Sequence, residues 1–194
     1  MREPVLLGTD HPLRDQAEAF IRRLYAAEYG AEITGFPSRI MASLDRFDQI
    51  RSAAGIRSKD DGFFSERYLR VPVEEALSRV SKRGVSRSQI FEVTTLASQA
   101  HHTTLRFIEA IGKFGEANGF NWSFFTLTRR LSLLVGRLRH PMIHLADADR
   151  RCIPDHQLWG TYYACEPKVY AIQSPRGVVQ SLNPEKRIVH AQAV

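Results

Sequence analysis

Two glutamates, a tyrosine pair and two adjacent histidines are the side chains of this sequence best placed to do chemistry. Glu92 stands inside the apolar run Ile90-Phe91-Glu92-Val93. In a strand, alternation puts it on one face with Ile90 and Thr94, while Phe91, Val93 and Thr95 take the other. Burial there raises a carboxyl pKa toward that of a general base. The alternative is a structural carboxylate paired with an arginine, because ion-pair networks also perturb pKa values. Glu66 follows Phe63-Phe64-Ser65 and precedes Arg67-Tyr68-Leu69. It reads either as a carboxylate over a substrate pocket or as a surface loop group. Tyr162 and Tyr163 fall in a predicted strand, so one of the two can face a cleft. A phenol there could protonate a leaving thiolate; packing is the competing reading.

Other chemistries are excluded. His101 and His102 open a predicted helix, where neighbours diverge by about 100° and do not converge on one ion. Cys152 and Cys165 are isolated, so no metal site and no disulfide framework is expected. No G-x-S-x-G elbow, P-loop or dinucleotide fingerprint occurs.

These residues need elements to hold them. A short strand Val5–Leu7 precedes a helix capped by Asp10, with Pro12 in its first turn. Leu13, Ala17, Phe20, Ile21 and Leu24 share one helical face, and Gly30 stops it. Arg39–Leu44 and Gln49–Arg57 read as a hairpin around Asp45-Arg46-Phe47-Asp48. Pro72 opens a short helix with Glu74 and Glu75 in its first turn and Lys82 and Arg83 in its last; Gly84 ends it. Gln89–Ala97 is a strand, followed by a helix from about Ala100 to Asn118, a strand Asn121–Thr128 and a helix Arg129–His140. Further strands are expected around Thr161–Ala164 and Lys168–Ile172. The crossover helix permits Gln89–Ala97 and Asn121–Thr128 to be parallel neighbours. The expected fold is one mixed α/β domain, residues 1–194, with helices on both faces of a central sheet.

Composition fits that reading. The chain has 194 residues, 43% of them hydrophobic, which is enough to bury a core and incompatible with disorder. No apolar run approaches the ~20 residues that span a bilayer, and the N-terminal apolar stretch is too short for a signal peptide. A cytoplasmic location is the expectation. The net charge is +6, and five of the 27 basic residues are lysine, leaving 22 arginines. Guanidinium forks suit phosphate and carboxylate, so an anionic partner is expected beside an ordinary solvated face. The helix Arg129–His140 carries Leu131, Leu134, Val135 and Leu138 as one stripe, with Arg129, Arg130, Arg137 and Arg139 outside it. Such a helix packs on a sheet or lies on an anionic membrane surface.

The order of elements resembles the GNAT acetyltransferase fold. The segments Phe63–Leu69, Ile90–Ala97, Leu158–Tyr163 and Pro167-Lys168-Val169 resemble the thermostable hemolysin family. His11-Pro12-Leu13, the helix end around Arg22, Tyr25 and Tyr29-Gly30-Ala31, and Ala54-Gly55-Ile56-Arg57 fit the same pattern. That family is similar to acyl-homoserine-lactone synthases, which take acyl groups from acyl carrier protein.

The resemblance implies a thioester donor laid along Gln89–Ala97. Its pantetheine would meet the backbone of Leu96, Ala97 and Ser98, and its phosphate the start of the next helix. Glu92 would be the base, with Glu66 second and Tyr162 an acid. Backbone N–H groups near Leu96–Ala97 would polarise the thioester carbonyl. Arg129 and Arg130 would meet a phosphate or an acidic carrier protein. Acetyltransferases place a glycine-rich turn where this chain has Ala97-Ser98-Gln99-Ala100-His101-His102. A phosphopantetheinylated carrier protein is therefore favoured over coenzyme A, without either being excluded. The expected activity is acyl transfer from such a donor to a small-molecule amine or hydroxyl acceptor, with no permanently bound cofactor and no DNA partner. Two further readings are a membrane-acting or binding protein on the same fold and an aminoacyl-tRNA-dependent transferase, the latter suggested only by the arginine excess.

Overall fold

The computed structural model describes residues 3–138 and 140–175, apart from the side chains of His101 and His102. The expectation placed on Arg139 lies outside the described residues.

Strand β1 (Val5–Leu7) leads into helix α1 (Arg14–Tyr29). The helix begins later than Asp10 and Pro12 suggest. His11 Nδ1 accepts the Leu13 amide at 3.1 Å, and Arg14 is buried, donating to the Pro37 and Ser38 carbonyls at 2.6 and 2.9 Å. Those contacts fix the first helical residue where the chain meets the sheet. Ala17, Phe20, Ile21 and Tyr25 are buried, and Gly30 ends the helix with φ 64°. Strands β2 (Arg39–Leu44) and β3 (Ile50–Arg57) form the expected hairpin. The Asp45 carboxylate organises its turn, accepting the amides of Phe47 and Gln49.

Helix α2 (Val73–Ser81) stops at Lys82, which takes the left-handed conformation (φ 55°) in place of Gly84. The Val85 amide donates to Ser78 Oγ at 2.9 Å, which turns the chain back before the glycine. Strand β4 (Ile90–Ser98), helix α3 (His101–Ala117) and strand β5 (Trp122–Leu127) form the crossover, and β4 and β5 are parallel neighbours. Helix α4 (Arg129–Val135) tightens into a 3-10 turn at Gly136–Leu138, so it is shorter than expected. Two strands, β6 (Ile143–Asp147) and β7 (Lys168–Gln173), complete the sheet.

The expected strand around Thr161–Ala164 is a 3-10 turn, Tyr162–Cys165. Gly160 presses on the Tyr29 carbonyl so closely that a Cβ would collide with it, and the Thr161 amide donates to the same oxygen at 2.8 Å. This segment is therefore tied to the end of α1 rather than to the sheet.

The sheet runs β1-β2-β3-β4-β5-β7-β6, with every pair antiparallel except β4–β5. Alternate side chains feed two faces. Ile40, Ala42 and Ala53 pack with α1, and Ile90 and Phe124 with α2. Met41, Ile56 and Phe91 pack with α3, and Phe125 and Leu127 with α4. Mixed α/β architecture with helices on both faces is thus what the chain adopts.

Candidate functional site

The site is built by a break in β4. Its ladder to β3 slips between Ala53 and Gly55, and Thr95 enters the left-handed region (φ 47°). A bulge of this kind bends a strand and re-aims its side chains. Gly55 is needed beside it, because a Cβ there would stand 2.5 Å from Thr94 Oγ1. On the other side, β4 pairs with β5 only from Ile90–Trp122 to Val93–Phe125. Past Val93 the two parallel strands part and leave a V-shaped opening.

Two cavities meet in that opening. The larger, about 500 Å³, is apolar and runs between the sheet and the α3–α4 side, past Val93, Leu96, Ile108, Leu131, Val135 and Ile172. The smaller, about 350 Å³, lies on the α1 side. It mixes aromatic and charged groups: Phe36, Phe64 and Trp159 with Arg57, Glu32 and Asp155. Tyr25, Val93, Thr95, Thr126 and Tyr162 line both. A long apolar ligand in one and a polar ligand in the other would touch at the bulge.

Glu92 sits directly behind this junction and is fully buried. Its oxygens accept the Phe64 and Ser65 amides at 2.6 and 2.7 Å, so its hydrogen-bond partners include backbone N–H groups and not the arginine of the alternative reading. Burial drives its pKa up to about 7, against the pull of the Ser65 hydroxyl and amide, the Phe64 amide, and the charge of Arg57, which stands opposite it in the ladder. Glu92 lines neither cavity.

Glu66 is placed differently. It accepts the Val73 amide at 2.9 Å at the start of α2 and takes both forks of Arg87 at 2.6 and 2.7 Å. Arg87 also holds Glu74 and stacks 4.4 Å over Phe63. Its guanidinium keeps the Glu66 carboxyl below the ordinary value. Neither cavity reaches Glu66.

Tyr162 joins the wall between the cavities, within an aromatic cluster of Tyr25, Tyr29 and Trp159, with centroids 5.3 Å from both Tyr29 and Trp159. Burial pushes its pKa well up, so its hydroxyl keeps its proton. Tyr163 points elsewhere and shares a 2.8 Å hydrogen bond with Tyr68. Of the residues expected to hold a donor, Leu96 lines the apolar cavity. Ala97 is buried against Ala53, and the Ser98 hydroxyl meets those of Ser52 and Thr103 at 2.8 and 3.1 Å. Arg129 and Arg130 are exposed at the start of α4, and Arg130 reaches Glu28 at 3.3 Å.

Ser65 and Thr126 are site residues that nothing in the residue pattern singles out. Their hydroxyls are 2.8 Å apart, a pairing visible only once the Phe63–Leu69 segment folds over β5. Among the described residues, no group of three His, Cys, Asp or Glu side chains could hold a metal ion, and no helix is long and apolar enough to cross a membrane.

The fold recurs in acyl-transferring proteins. The acyl-homoserine-lactone synthase LasI superposes with a TM-score of 0.60 at 12% identity, covering 93% of this chain and 95% of that one. FeeM, an N-acyl amino acid synthase from uncultured soil microbes, gives 0.58 at 14%, covering 91% and 98%. BjaI, a CoA-dependent acyl-homoserine-lactone synthase solved with SAM and isopentyl-CoA, gives 0.55 at 10%, covering 92% and 86%. At these identities the likeness is one of fold. No curated protein matches the sequence itself. The sequence pattern of one family does match, over residues 7–178, and the chain belongs to the thermostable hemolysin family.

Proposed function

We propose that this protein is an acyltransferase, moving an acyl group from a thioester donor to a small-molecule amine or hydroxyl. The observation that carries the reading is the meeting of an apolar and a polar cavity at the β4 bulge, with a buried carboxylate of raised pKa behind it. The acyl chain takes the apolar cavity and the acceptor the mixed one. The pantetheine arm lies along the β4 edge that β5 leaves free, past Leu96, Ala97 and Ser98. Backbone N–H groups there polarise the thioester carbonyl, and Glu92 takes the proton that the acceptor loses. Tyr162, protonated in its aromatic setting, supplies a hydrogen bond to the departing sulfur.

The donor is the acylated phosphopantetheine of an acidic carrier protein rather than acyl-CoA. The β4–α3 turn has no glycine for close approach to a pyrophosphate, and Arg129 and Arg130 present exposed positive charge beside the cleft. Kinship of fold with CoA-dependent enzymes keeps acyl-CoA as the competing donor. One test decides both points. The protein is incubated with a panel of acyl-CoA and acyl-carrier donors plus cell extract, and products are read by mass spectrometry. Thiol release with a new acylated product supports the reading; intact thioesters throughout overturn it.

A membrane-acting protein is the second reading, favoured by Leu133, which is 69% exposed on the same helix as Arg129 and Arg130. It predicts leakage of anionic vesicles in the absence of any thioester.

A further inference from the structure

Glu92 has a geometric difficulty as a base. Its carboxylate is sealed behind Phe64 and Ser65 and borders neither cavity. A proton released in the cleft therefore has no direct path to it.

Two hydroxyls bridge the gap. Thr126 lies on β5 and lines both cavities at their junction. Its Oγ1 is 2.8 Å from Ser65 Oγ. Ser65 is 1% exposed, stands at the edge of the smaller cavity and donates its amide to Glu92 at 2.7 Å, and its hydroxyl is one of the groups stabilising that carboxylate. A hydroxyl donates one hydrogen bond while accepting others, so it can receive and release a proton in one movement. We propose that Thr126 and Ser65 form a two-hydroxyl relay carrying the acceptor's proton from the cleft to Glu92.

This rests on the acyl-transfer reading above. The acceptor's lone pair forms the new bond to the thioester carbonyl carbon. The C–S bond breaks, and its electron pair leaves on sulfur. The acceptor's proton moves to Thr126 Oγ1 as the Thr126 proton moves to Ser65 Oγ and the Ser65 proton to Glu92. Both hydroxyls end as they began, with Glu92 protonated and the sulfur a thiolate; return of the proton along the same path to sulfur resets the site. The other ionisable groups around the carboxylate are Arg57 on β3 and Tyr68 in the covering segment.

The test compares the wild-type protein with Ser65→Ala, Thr126→Val and Thr126→Ser, using Glu92→Gln to identify the Glu92 carboxyl band by infrared difference. Removing the Ser65 hydroxyl takes a hydrogen bond from the carboxylate, so the Glu92 midpoint rises by roughly half a unit to one unit. Removing the Thr126 hydroxyl leaves Ser65 with the carboxylate as its acceptor, so the midpoint falls by a similar amount. Thiol release is then followed from octanoyl-CoA and from an octanoylated bacterial acyl carrier protein, with free amino acids as acceptors. It drops about 10- to 100-fold in Ser65→Ala and Thr126→Val and recovers in Thr126→Ser. Unmoved midpoints in both variants, or a Thr126→Val protein with wild-type rate and pH profile, overturn the relay and leave acyl transfer standing. A wild-type protein that releases no thiol from either donor overturns both.

Discussion

Glu66 and Glu92 perform one structural task in opposite electrostatic settings. Both accept backbone amides and pin the two ends of the Phe63–Val73 segment, Glu92 at Phe64 and Ser65, Glu66 at Val73. Glu66 answers to a guanidinium and stays ionised, its pKa lowered by Arg87. Glu92 is sealed in the sheet, where desolvation outweighs the amides and the more distant Arg57. A carboxylate whose charge is already matched by arginine has little reason to take up a proton near neutrality. One held by neutral amides in an apolar setting titrates there. The second is the one that can serve as a base.

The widest separation of the pair comes from removing each charge in turn. Glu92→Gln keeps one acceptor oxygen for the two amides but no site for the acceptor's proton. Thiol release at neutral pH should fall about 10²–10⁴-fold, and the amide left facing a donor should cost roughly 1–3 kcal/mol of stability at pH 6. Wild-type activity in a folded Glu92→Gln protein would end the assignment of Glu92 as base.

Stability against pH gives the two carboxyls opposite signs. Glu92 holds its proton up to about pH 7, whereas the unfolded chain loses it near the ordinary value of 4.5. Its contribution is therefore complete below pH 4.5 and is lost as pH rises through 7, about 3 kcal/mol over that span. Glu66, with its lowered pKa, stabilises above the ordinary carboxyl value and loses that contribution only as pH falls through its own. Urea unfolding of the wild type and Glu92→Gln between pH 4.5 and 8 checks this: the variant should lack the alkaline decline.

The cavities can be separated from the carboxyls by filling one of them. Ser123 lies in the floor of the apolar cavity, on β5 beside Phe91 and Ile172. Ser123→Leu should shorten the longest acyl chain accepted by two or three methylenes, worth about 2 kcal/mol, or some 30-fold in kcat/KM for long donors. Short donors should be unaffected; equal losses for all chain lengths would place the acyl group elsewhere.

The smallest effect is expected at Glu66. Glu66→Gln removes the charge facing Arg87 while retaining an acceptor for α2, and should cost about 1–2 kcal/mol. Activity per folded molecule should match the wild type. A rate loss as large as that of Glu92→Gln would erase the distinction between the two.

Much of this was legible in the sequence where chemistry is local. Gly30, the Asp45 turn and the apolar runs of β4 and β5 announce themselves by residue type and period, and Glu92 stood out as a charge in an apolar strand. What stayed hidden depends on partners distant in the chain. Tyr162-Tyr163 has strand-forming residues, yet Gly160 docks on Tyr29 and curls it into a 3-10 turn. Strand β6, with its interrupted pairing to β7, carries no clear alternation. Glu66 resembled Glu92 as a candidate until Arg87, twenty-one residues on, was seen to occupy it. Ser65 and Thr126 are ordinary polar residues in the sequence and become a pair only in three dimensions.

The docking of Gly160 and Thr161 on the Tyr29 carbonyl also bears on how the molecule assembles. It joins residues 132 positions apart, and contacts of such long range come late and slow a folding chain. A chain emerging N-terminus first completes α1, the β2–β3 hairpin and the β4–α3–β5 crossover before Tyr162 and Trp159 exist to wall the cleft. The aromatic partition between the two cavities thus closes after the crossover that carries Glu92.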